Sequence, residues 1–535
     1  MSITNPILPG FHPDPSILRV GDDYYIANST FCWHPAVRIH HSRDLKNWKL
    51  RGYAVTRDSQ LDLRGNEDHG GIWAPCLSHH DGLFYLIYTD VKNWTSPAYK
   101  DAHNYLITAP TIDGPWSDPI YLNSSGFDPS LFHDDDGRTW LVNMLWDHRM
   151  NAHPFGGILL QEYDRTRQKL VGPVNNIFHG TDIKMVEGPH LYKKDGYYYL
   201  LTAEGGTTWW HAASLARSKS IDGPYDIMPK NPLITSATDD TLALQRAGHG
   251  SFVETQDGQW YFAHLCGRPV MPMRKCILGR ETALQALDWP KGEWPTLAHG
   301  TNTPALETRA SGLPEVTFER DAKHPYFNDD FESDKLDLEY NSLRVPIDDS
   351  WASLAARPGF LRIWGRESLN SRHRQSLIAR RIVHFDTSAA CAVDFQPETF
   401  QHMAGLIFYY DTTNHHYLYI TCNNDGQRVL GIITADGGQH IEYPNAVVAL
   451  PDTGTVYLKG VMHGATLQFY YATSPQKWIA IGRPLDATIL ADEHKAEVKF
   501  TGAYAGICVQ NLSGQSIHGD FDWFNMEKAK DAGTK

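Results

Sequence analysis

The chain has 535 residues, of which 41% are hydrophobic and 12% aromatic, and its formal net charge is −14 at pH 7. This length is too great for one hydrophobic core, so two domains of unequal size are expected. The acidic charge argues against a nucleic-acid partner, which would require clustered Lys and Arg. No apolar run approaches the about 20 residues that span a bilayer, so we expect no membrane partner either.

The N-terminal segment MSITNPILPGFHPDPS has neither a basic region nor an uninterrupted apolar stretch, which predicts a cytoplasmic protein. The seven cysteines are scattered and form no CxxC pair, which indicates buried reduced thiols rather than disulfides or a cysteine zinc site. The histidine pairs at 40–41, 79–80 and 415–416 lack metal-ligand spacing, so we expect them at the surface.

A strand-turn-strand pattern occurs five times within the first three hundred residues. The copies begin at residues 14, 74, 128, 188 and 249 and read DPSILRVGDDYYIA, APCLSHHDGLFYLI, DPSLFHDDDGRTWLV, GPHLYKKDGYYYLL and HGSFVETQDGQWYFA. Each has an apolar strand, a turn containing Asp and Gly, and an aromatic second strand. Three of them are followed by a turn-forming segment suited to a blade's outer edge: HSRDLKNW, TIDGPW and SIDGPY. The repeat predicts an all-β fold, a five-bladed β-propeller over residues 1–322.

The inner strands of a propeller line its central channel, so equivalent positions of the repeats should converge there. These positions carry Asp14, Trp73, Asp128, Glu187 and His249. Taken alone, Glu187 would be a solvated loop acid. Three carboxylates in one funnel, however, repel one another and raise one another's pKa, which costs stability. The cluster therefore indicates a functional site.

The pattern changes after about residue 322. The segment ERDAKHPYFNDDFESDKLD, residues 319–337, is charged and contains proline, as linkers do. Alternating apolar runs follow, such as AGLIFYYD and HHYLYITC, with turn residues at Asn424-Asp425-Gly426 and His463-Gly464. Residues 323–535 are predicted to form a β-sandwich.

The carboxylate cluster suits the cleavage of a glycosidic bond, which needs one carboxyl group to donate a proton and another to activate water. A third carboxylate can raise the donor's pKa and keep it protonated near neutral pH. Aromatic side chains would supply apolar surfaces for sugar C–H groups; the candidates are Phe31, Trp73, Phe127 and Trp146.

An ordered set of motifs runs along nearly the whole chain. It comprises PDPS at Asp14, WAP at Trp73, GFDPS at Asp128, EGPHLY at Glu187, GHGSFVET at His249 and LGRETALQ at Arg280, and then DSWASLAARPGFLRIWGRESL and HRQSLIARR. A single DPS would mean little, but the set resembles glycoside hydrolase family 43, in particular its cytoplasmic β-xylosidase branch.

The resemblance implies that Asp14 is the general base, Glu187 the general acid and Asp128 the group that orients the acid and tunes its pKa. Arg280 would anchor sugar hydroxyls, and His249 would lie on the channel floor, where a structural divalent cation or a water could sit. No cofactor is required. The implied enzyme is inverting and exo-acting and releases xylose from β-1,4-xylo-oligosaccharides, with side activity on α-L-arabinofuranosides. The resemblance also implies a homo-oligomer, either a tetramer or a dimer.

The chain departs from the family pattern at three positions. Cys32 and His34, in STFCWHPAV, replace an expected acid and aromatic residue. Tyr504, in TGAYAG, stands where a loop of the concanavalin A-like second domain usually offers phenylalanine to the active site. These departures are expected to affect contacts at the rim of the active site and the relative activity on xylosides and arabinosides.

Two other functions are compatible with the sequence. A retaining fructan-type hydrolase shares the propeller and sandwich, but its first motif has Asn-Asp-Pro-Asn character, which Pro13-Asp14-Pro15-Ser16 does not match. A sugar-binding propeller without catalysis would be expected to lack one of the three carboxylates. A chromogenic xyloside assay would separate binding from hydrolysis.

Overall fold

The structure is a computed structural model that describes residues 2–95, 98–310, 313–314, 327–475, 477–496 and 499–529. In these residues all regular structure is β except three 3-10 helices, Pro444–Ala446, Ala487–Leu490 and His494–Ala496. None of the helices in the described ranges has the length and apolarity needed to cross a membrane. The chain divides into two compact units, Met1–Arg268 with Arg280–Thr317 and Pro269–Gly279 with Phe318–Lys535. The predicted domain boundary at 322 lies outside the described residues.

The first unit is a five-bladed β-propeller, which confirms the fold predicted from the repeat. A strand β1 (Ser2–Thr4) precedes the blades. Blade 1 contains β2 (Ser16–Val20), β3 (Asp23–Asn28), β5 (Ala36–Ser42) and β6 (Lys49–Val55), with the short β4 (Trp33–His34) between β3 and β5 in the chain. Blade 2 contains β7 (Gly71–His80), β8 (Leu83–Val91), β9 (Ala102–Ala109) and β10 (Ile120–Asn123). Blade 3 contains β11 (Ser130–His133), β12 (Thr139–Trp146), β13 (Phe155–Asp164) and β14 (Lys169–Phe178).

Blades 4 and 5 complete the ring. Blade 4 contains β15 (Glu187–Lys194), β16 (Tyr197–Glu204), β17 (Ala212–Ser218), β18 (Asp226–Ile227) and β19 (Ile234–Thr235). Blade 5 contains β20 (Gly250–Glu254), β21 (Trp260–Gly267), β22 (Arg280–Asp288) and β23 (Thr296–Leu297). A last strand, β24 (Glu307–Arg309), pairs with β1.

Each predicted repeat forms the first hairpin of its blade. The turns at Asp81-Gly82 and Asp195-Gly196 have positive φ at both positions, 49° and 75° in one and 51° and 75° in the other. Such turns match the twist of the flanking strands, and Asp-Gly forms them readily. The segments HSRDLKNW, TIDGPW and SIDGPY connect the third and fourth strands of blades 1, 2 and 4, at the outer side of each blade as predicted.

The N-terminal segment lies along blade 5. The Asn5 side-chain amide donates to the Leu284 carbonyl at 2.8 Å, and its carbonyl oxygen accepts from the Leu284 N–H at 2.8 Å. Further along, the His12 N–H donates to the Arg280 carbonyl at 2.9 Å. This pairing brings Asp14, which follows in blade 1, next to the start of β22.

The second unit is a β-sandwich of two antiparallel sheets, which agrees with the predicted fold class. Its strands are β25 (Phe327–Asp329), β26 (Asn341–Leu343), β27 (Ala352–Ser353), β28 (Leu361–Trp364), β29 (Leu377–Arg381), β30 (Asp386–Asp394), β31 (His402–Asp411), β32 (Asn414–Cys422), β33 (Arg428–Asp436), β34 (Gln439–Glu442), β35 (Val448–Ala449), β36 (Val456–His463), β37 (Thr466–Ala472), β38 (Ile479–Asp486), β39 (Tyr504–Asn511) and β40 (His518–Lys528). One sheet has the order β27-β28-β40-β30-β36-β37-β38, with β25 on β40, and the other has the order β34-β33-β32-β31-β39-β29-β26, with β35 on β33. Their facing apolar residues, including Leu406, Phe408, Leu458 and Phe469, form one core.

The predicted environment of the cysteines is confirmed, and that of the histidine pairs is partly wrong. All seven cysteines are free and buried. His40, His415 and His416 are also buried, with exposed fractions of 4%, 1% and 1%, and not at the surface as expected. They lie on strands that are covered on both faces, and both ring nitrogens of His416 have protein partners: the ring contacts Thr434 Oγ1 at 2.8 Å and the Asp486 carbonyl at 3.0 Å.

Candidate active site

Four of the five repeats begin with the same unusual backbone conformation. Asp14, Ala74, Asp128 and Gly188 have left-handed φ values of 51°, 33°, 54° and 56°. Non-glycine residues rarely adopt this region, and residues held in it cluster at functional sites. The repeated turn places these four residues at the same end of the inner strand of their blades. Asp14 and Asp128 occupy the turn itself, whereas Trp73 and Glu187 stand one position earlier.

A glycine is required at position 188, directly after Glu187. A Cβ atom there would lie 2.8 Å from Cδ2 and from Nε2 of the His249 ring, which is buried. The main chain of blade 4 therefore packs directly on the histidine of blade 5. Because glycine occupies the turn position in this blade, the carboxylate is carried by the preceding residue, Glu187, which is the first residue of β15.

The carboxylate of Asp14 is held through both oxygens. The Ser29 hydroxyl donates to Oδ2 at 2.7 Å, and Arg280 Nη1 donates to Oδ1 at 3.0 Å. His249 Nδ1 lies 3.7 Å from the same Oδ1. Asp14 is 6% exposed, so its carboxylate is held in a largely dry environment. A carboxylate fixed in this way can act as a base towards a water molecule.

Arg280 connects Asp14 to the loop that follows β16. Its Nη1 also donates to Thr207 Oγ1 at 3.2 Å, and Arg246 Nη2 donates to the Thr207 carbonyl at 2.6 Å. The Arg280 guanidinium carbon lies 5.3 Å from the centroid of the Phe31 ring. Arg280 is therefore buried beside an aromatic ring and a carboxylate, a setting in which a guanidinium can bind hydroxyl groups at a fixed position.

Asp128 and Glu187 form an electrostatically coupled pair. The Gly188 N–H donates to Asp128 Oδ2 at 3.0 Å, which ties Asp128 to the residue next to Glu187. Burial, and secondarily the charge of Asp14, raises the pKa of Asp128 to about 8. Burial, then the charges of Asp128 and Asp14, raises the pKa of Glu187 well above its usual range, while Arg280 opposes the shift. A pair of this kind retains a proton at neutral pH, as a general acid requires.

The predicted aromatic side chains form a continuous series across blades 1 to 3. Ring centroids are 6.0 Å apart for Phe31 and Trp73, 5.3 Å for Trp73 and Phe127, and 6.1 Å for Phe127 and Trp146. The Trp146 indole N–H donates to the Ala98 carbonyl at 3.0 Å, which fixes its ring. Rigid aromatic rings of this kind suit the apolar faces of sugars.

His249 lies beside Asp14, where the sequence predicts the channel floor. Its backbone N–H donates to His211 Nε2 at 2.9 Å. Burial lowers the pKa of the His249 imidazole, although Asp14 opposes the shift, so the neutral ring is favoured. Within the described ranges no group of three or more His, Cys, Asp or Glu side chains is placed to hold a metal ion. The cation beside His249 stays a prediction.

The three departures from the family pattern are all buried. Cys32 Sγ lies 3.2 Å from the Glu67 carbonyl oxygen. Burial lowers the pKa of His34 to about 4, so its ring is neutral at physiological pH. Tyr504 is the first residue of β39 in the second unit, with the Arg381 guanidinium carbon 5.3 Å from its ring centroid. Its role towards substrate stays a prediction.

Several residues of the site were missed by the sequence analysis. Ser29, Thr207 and His211 contact Asp14, Arg280 and His249, and Arg246 contacts Thr207, yet none of the four occupies the repeat position that identifies the carboxylates. Ser29 and Thr207 follow the second strands of blades 1 and 4. This shared position after a blade's second strand is the signal that could have found Ser29 and Thr207; the local sequence around Arg246 and His211 gives none.

The chain matches known proteins over almost its whole length. Residues 3–295 match the family model described as Glycosyl hydrolases family 43, and residues 328–527 match that of the Beta xylosidase C-terminal Concanavalin A-like domain. The chain is 49% identical over 529 residues to the Xylosidase/arabinosidase 43B of Humicola insolens, covering 98% of this chain and 97% of that protein. It is 47% identical over 538 residues to a Beta-xylosidase of Bacillus subtilis (strain 168), covering 99% and 100%. A solved structure of a xylan beta-1,4-xylosidase from Bacillus halodurans C-125 superposes with a TM-score of 0.95 at 57% identity, covering 98% of this chain and 100% of that one.

Proposed function

Because the chain belongs to glycosyl hydrolase family 43 and is a glycoside hydrolase, we propose that it removes single xylose units from the non-reducing ends of β-1,4-xylo-oligosaccharides with inversion of configuration. The observation that carries this proposal is the contrast between two carboxyl groups. Glu187 is kept protonated by burial and neighbouring charges, whereas Asp14 is bound to a guanidinium and a hydroxyl. An acid and a base are thus provided by one site.

The proposed reaction proceeds in one displacement. Glu187 donates its proton to the glycosidic oxygen as the bond from that oxygen to the anomeric carbon breaks. Asp14 accepts a proton from the water whose oxygen attacks the anomeric carbon from the opposite face. Asp128 keeps Glu187 protonated before each turnover, and afterwards the proton on Asp14 returns to solvent while Glu187 is protonated again.

The substrate class is inferred from the names of similar proteins and from the character of the site. Two of them are named β-xylosidases, and the third is named a xylosidase/arabinosidase. In our proposal Arg280 binds sugar hydroxyls and the aromatic series from Phe31 to Trp146 contacts the apolar sugar faces. We also propose side activity on α-L-arabinofuranosides. A cytoplasmic location and a tetrameric or dimeric assembly stay predictions.

Initial rates on four substrates test this proposal: xylobiose, an aryl β-xyloside, an aryl α-L-arabinofuranoside and a fructan. We expect hydrolysis of both xylosides, slower hydrolysis of the arabinofuranoside and none of the fructan, with activity lost in Asp14→Ala. A preference for the arabinofuranoside would overturn the substrate assignment. Fructan hydrolysis alone would favour the retaining alternative, against which the family match argues.

A further inference from the structure

Glu204, the last residue of β16, is a carboxylate to which the sequence and the proposed mechanism give no role. It is fully buried, with an exposed fraction of 0%. Thr181 is its main partner: the backbone N–H lies 3.1 Å from Oε1 and 3.2 Å from Oε2, and the hydroxyl donates to Oε2 at 2.5 Å. The Ser214 hydroxyl and the Lys184 backbone N–H also favour its ionised form.

Thr181 belongs to the loop of residues 180–186, which leads directly into Glu187. Within this loop the Ile183 N–H donates to Thr181 Oγ1 at 3.2 Å, and the Lys184 N–H donates to the Thr181 carbonyl at 3.1 Å. The Lys184 carbonyl in turn accepts from the Gly205 N–H at 2.8 Å, directly after Glu204. The loop is therefore fastened to the end of β16 through one carboxylate and its neighbour.

The last turn of this loop is strained. Lys184 and Met185 are consecutive non-glycine residues with left-handed φ values of 67° and 58°. Such residues cost about 1–3 kcal/mol each and persist only where the surrounding structure determines them. The hydrogen bonds to Glu204 and Gly205 supply that constraint two residues before Glu187.

Glu187 and Glu204 are also connected through the backbone of the sheet. Glu187 pairs with Ala203 in the ladder of β15 and β16, and Ala203 immediately precedes Glu204. Retaining a carboxylate in this position is unfavourable in itself, because burial raises the pKa of Glu204 to about 7 in spite of its hydrogen bonds. A buried ionisable group beside a candidate catalytic residue is itself a candidate for a functional role.

We propose that Glu204 is a positioning residue for Glu187: its carboxylate holds the loop of residues 180–186 and thereby fixes the carboxyl group of Glu187 against the glycosidic oxygen. This inference rests on the proposed function, since it takes Glu187 as the general acid. A displacement of about 1 Å at a reacting group can cost about 100-fold in rate, so a fixed loop is needed even for a residue that begins a regular strand.

The test compares two substrates in Glu204→Gln. Glutamine places an amide donor against the donors of Thr181 and should release the loop. We expect kcat on xylobiose to fall by about 100-fold. On an aryl β-xyloside with an acidic phenol the loss should stay within about 3-fold, because that leaving group needs little help from a general acid. A loss of equal size on both substrates would show a merely structural role and overturn the inference.

Thr181 provides a second pair of variants in case Glu204→Gln does not fold. Thr181→Val removes the hydroxyl and should show the same selective loss to a smaller degree, whereas Thr181→Ser keeps the hydroxyl and should restore activity on xylobiose. If Thr181→Val affects both substrates equally, the inference fails.

Asp134→Asn is a matched control for the loss of a buried carboxylate. Asp134 accepts from Lys193 Nζ at 2.5 Å and from the Tyr198 hydroxyl at 2.7 Å, near the other end of β15. Asp134→Asn should change kcat on xylobiose and on the aryl β-xyloside by the same factor. Glu187→Ala separates the two proposals. If Glu187→Ala loses more activity on xylobiose than on the aryl xyloside but Glu204→Gln does not, only the positioning role of Glu204 is refuted. If Glu187→Ala shows no such selective loss, the role of Glu187 as general acid is refuted.

Discussion

Replacing Asp128 by asparagine removes an ionisable carboxyl group from the site and should leave the local structure in place. The asparagine side-chain carbonyl can still accept the Gly188 N–H, which lies 3.0 Å from Asp128 Oδ2. Asparagine also tolerates the left-handed backbone at this position, where φ is 54°. We therefore expect Asp128→Asn to fold and to change mainly the electrostatics of Glu187.

The expected effect is a lower pKa of Glu187. Burial is the first cause of its raised pKa, and the charge of Asp128 is the first of the two like charges that add to it. Without the carboxylate of Asp128, the ionised form of Glu187 has one like charge fewer beside it, so Glu187 loses its proton at lower pH. Since Glu187 acts in its protonated form, activity falls as pH rises through its pKa. The alkaline limb should therefore move to lower pH.

The measurement is kcat/KM for xylobiose as a function of pH, which reports the ionisation of the free enzyme. Asp134→Asn serves as the control, because it removes a buried carboxylate outside the site and should leave the alkaline limb where it is. An alkaline limb that stays in place in Asp128→Asn, or that moves to higher pH, would refute the role assigned to Asp128.

Three further substitutions test other parts of the site. Asp14→Ala should lower kcat by about 10²- to 10⁴-fold on xylobiose and on an aryl xyloside alike, because water must be activated for either leaving group; a loss confined to xylobiose would contradict this. Gly188→Ala should lower the stability of the propeller by about 2 kcal/mol, since the added Cβ meets the His249 ring and the backbone is left-handed; an unchanged melting temperature in circular dichroism would refute the packing argument. Arg280→Lys should lower kcat/KM about tenfold, because the lysine ammonium can replace Nη1 beside Asp14 and Thr207 but lacks the further N–H donors that a guanidinium offers to sugar hydroxyls; full activity would remove Arg280 from substrate binding.

The blades could be predicted from the sequence because each repeat contains the turn residues and apolar strands that form its first hairpin. In the fourth copy, Asp195-Gly196 forms the turn and the aromatic run after it forms β16, and the structure confirms this hairpin. The equivalent position across the repeats identifies Asp14, Asp128 and Glu187 as the candidate carboxylates. Their catalytic roles stay predictions.

The residues that surround these carboxylates and support their neighbours could not be predicted in the same way. Ser29, Thr207 and Glu204 act through hydrogen bonds from the ends of second strands, and nothing in the local sequence shows which loop will face them. The wrong expectation for His415 and His416 has a related cause. Adjacent residues of a strand point to opposite faces, and the sequence did not show that both faces of β32 are covered.

The stereochemistry of the first product tests the central claim most directly. Asp14 belongs to blade 1 and Glu187 to blade 4, which are not neighbours in a ring of five, so we expect the channel to separate them. An inverting pair needs about 6.5–9.5 Å between its carboxyl groups to admit water, whereas a retaining pair stands about 5–5.5 Å apart. Proton NMR of a β-xyloside digest at early times should show α-xylose first, with the β-anomer growing in only by mutarotation. Initial release of β-xylose would contradict the assignment of Asp14 as the base and of Glu187 as its partner acid.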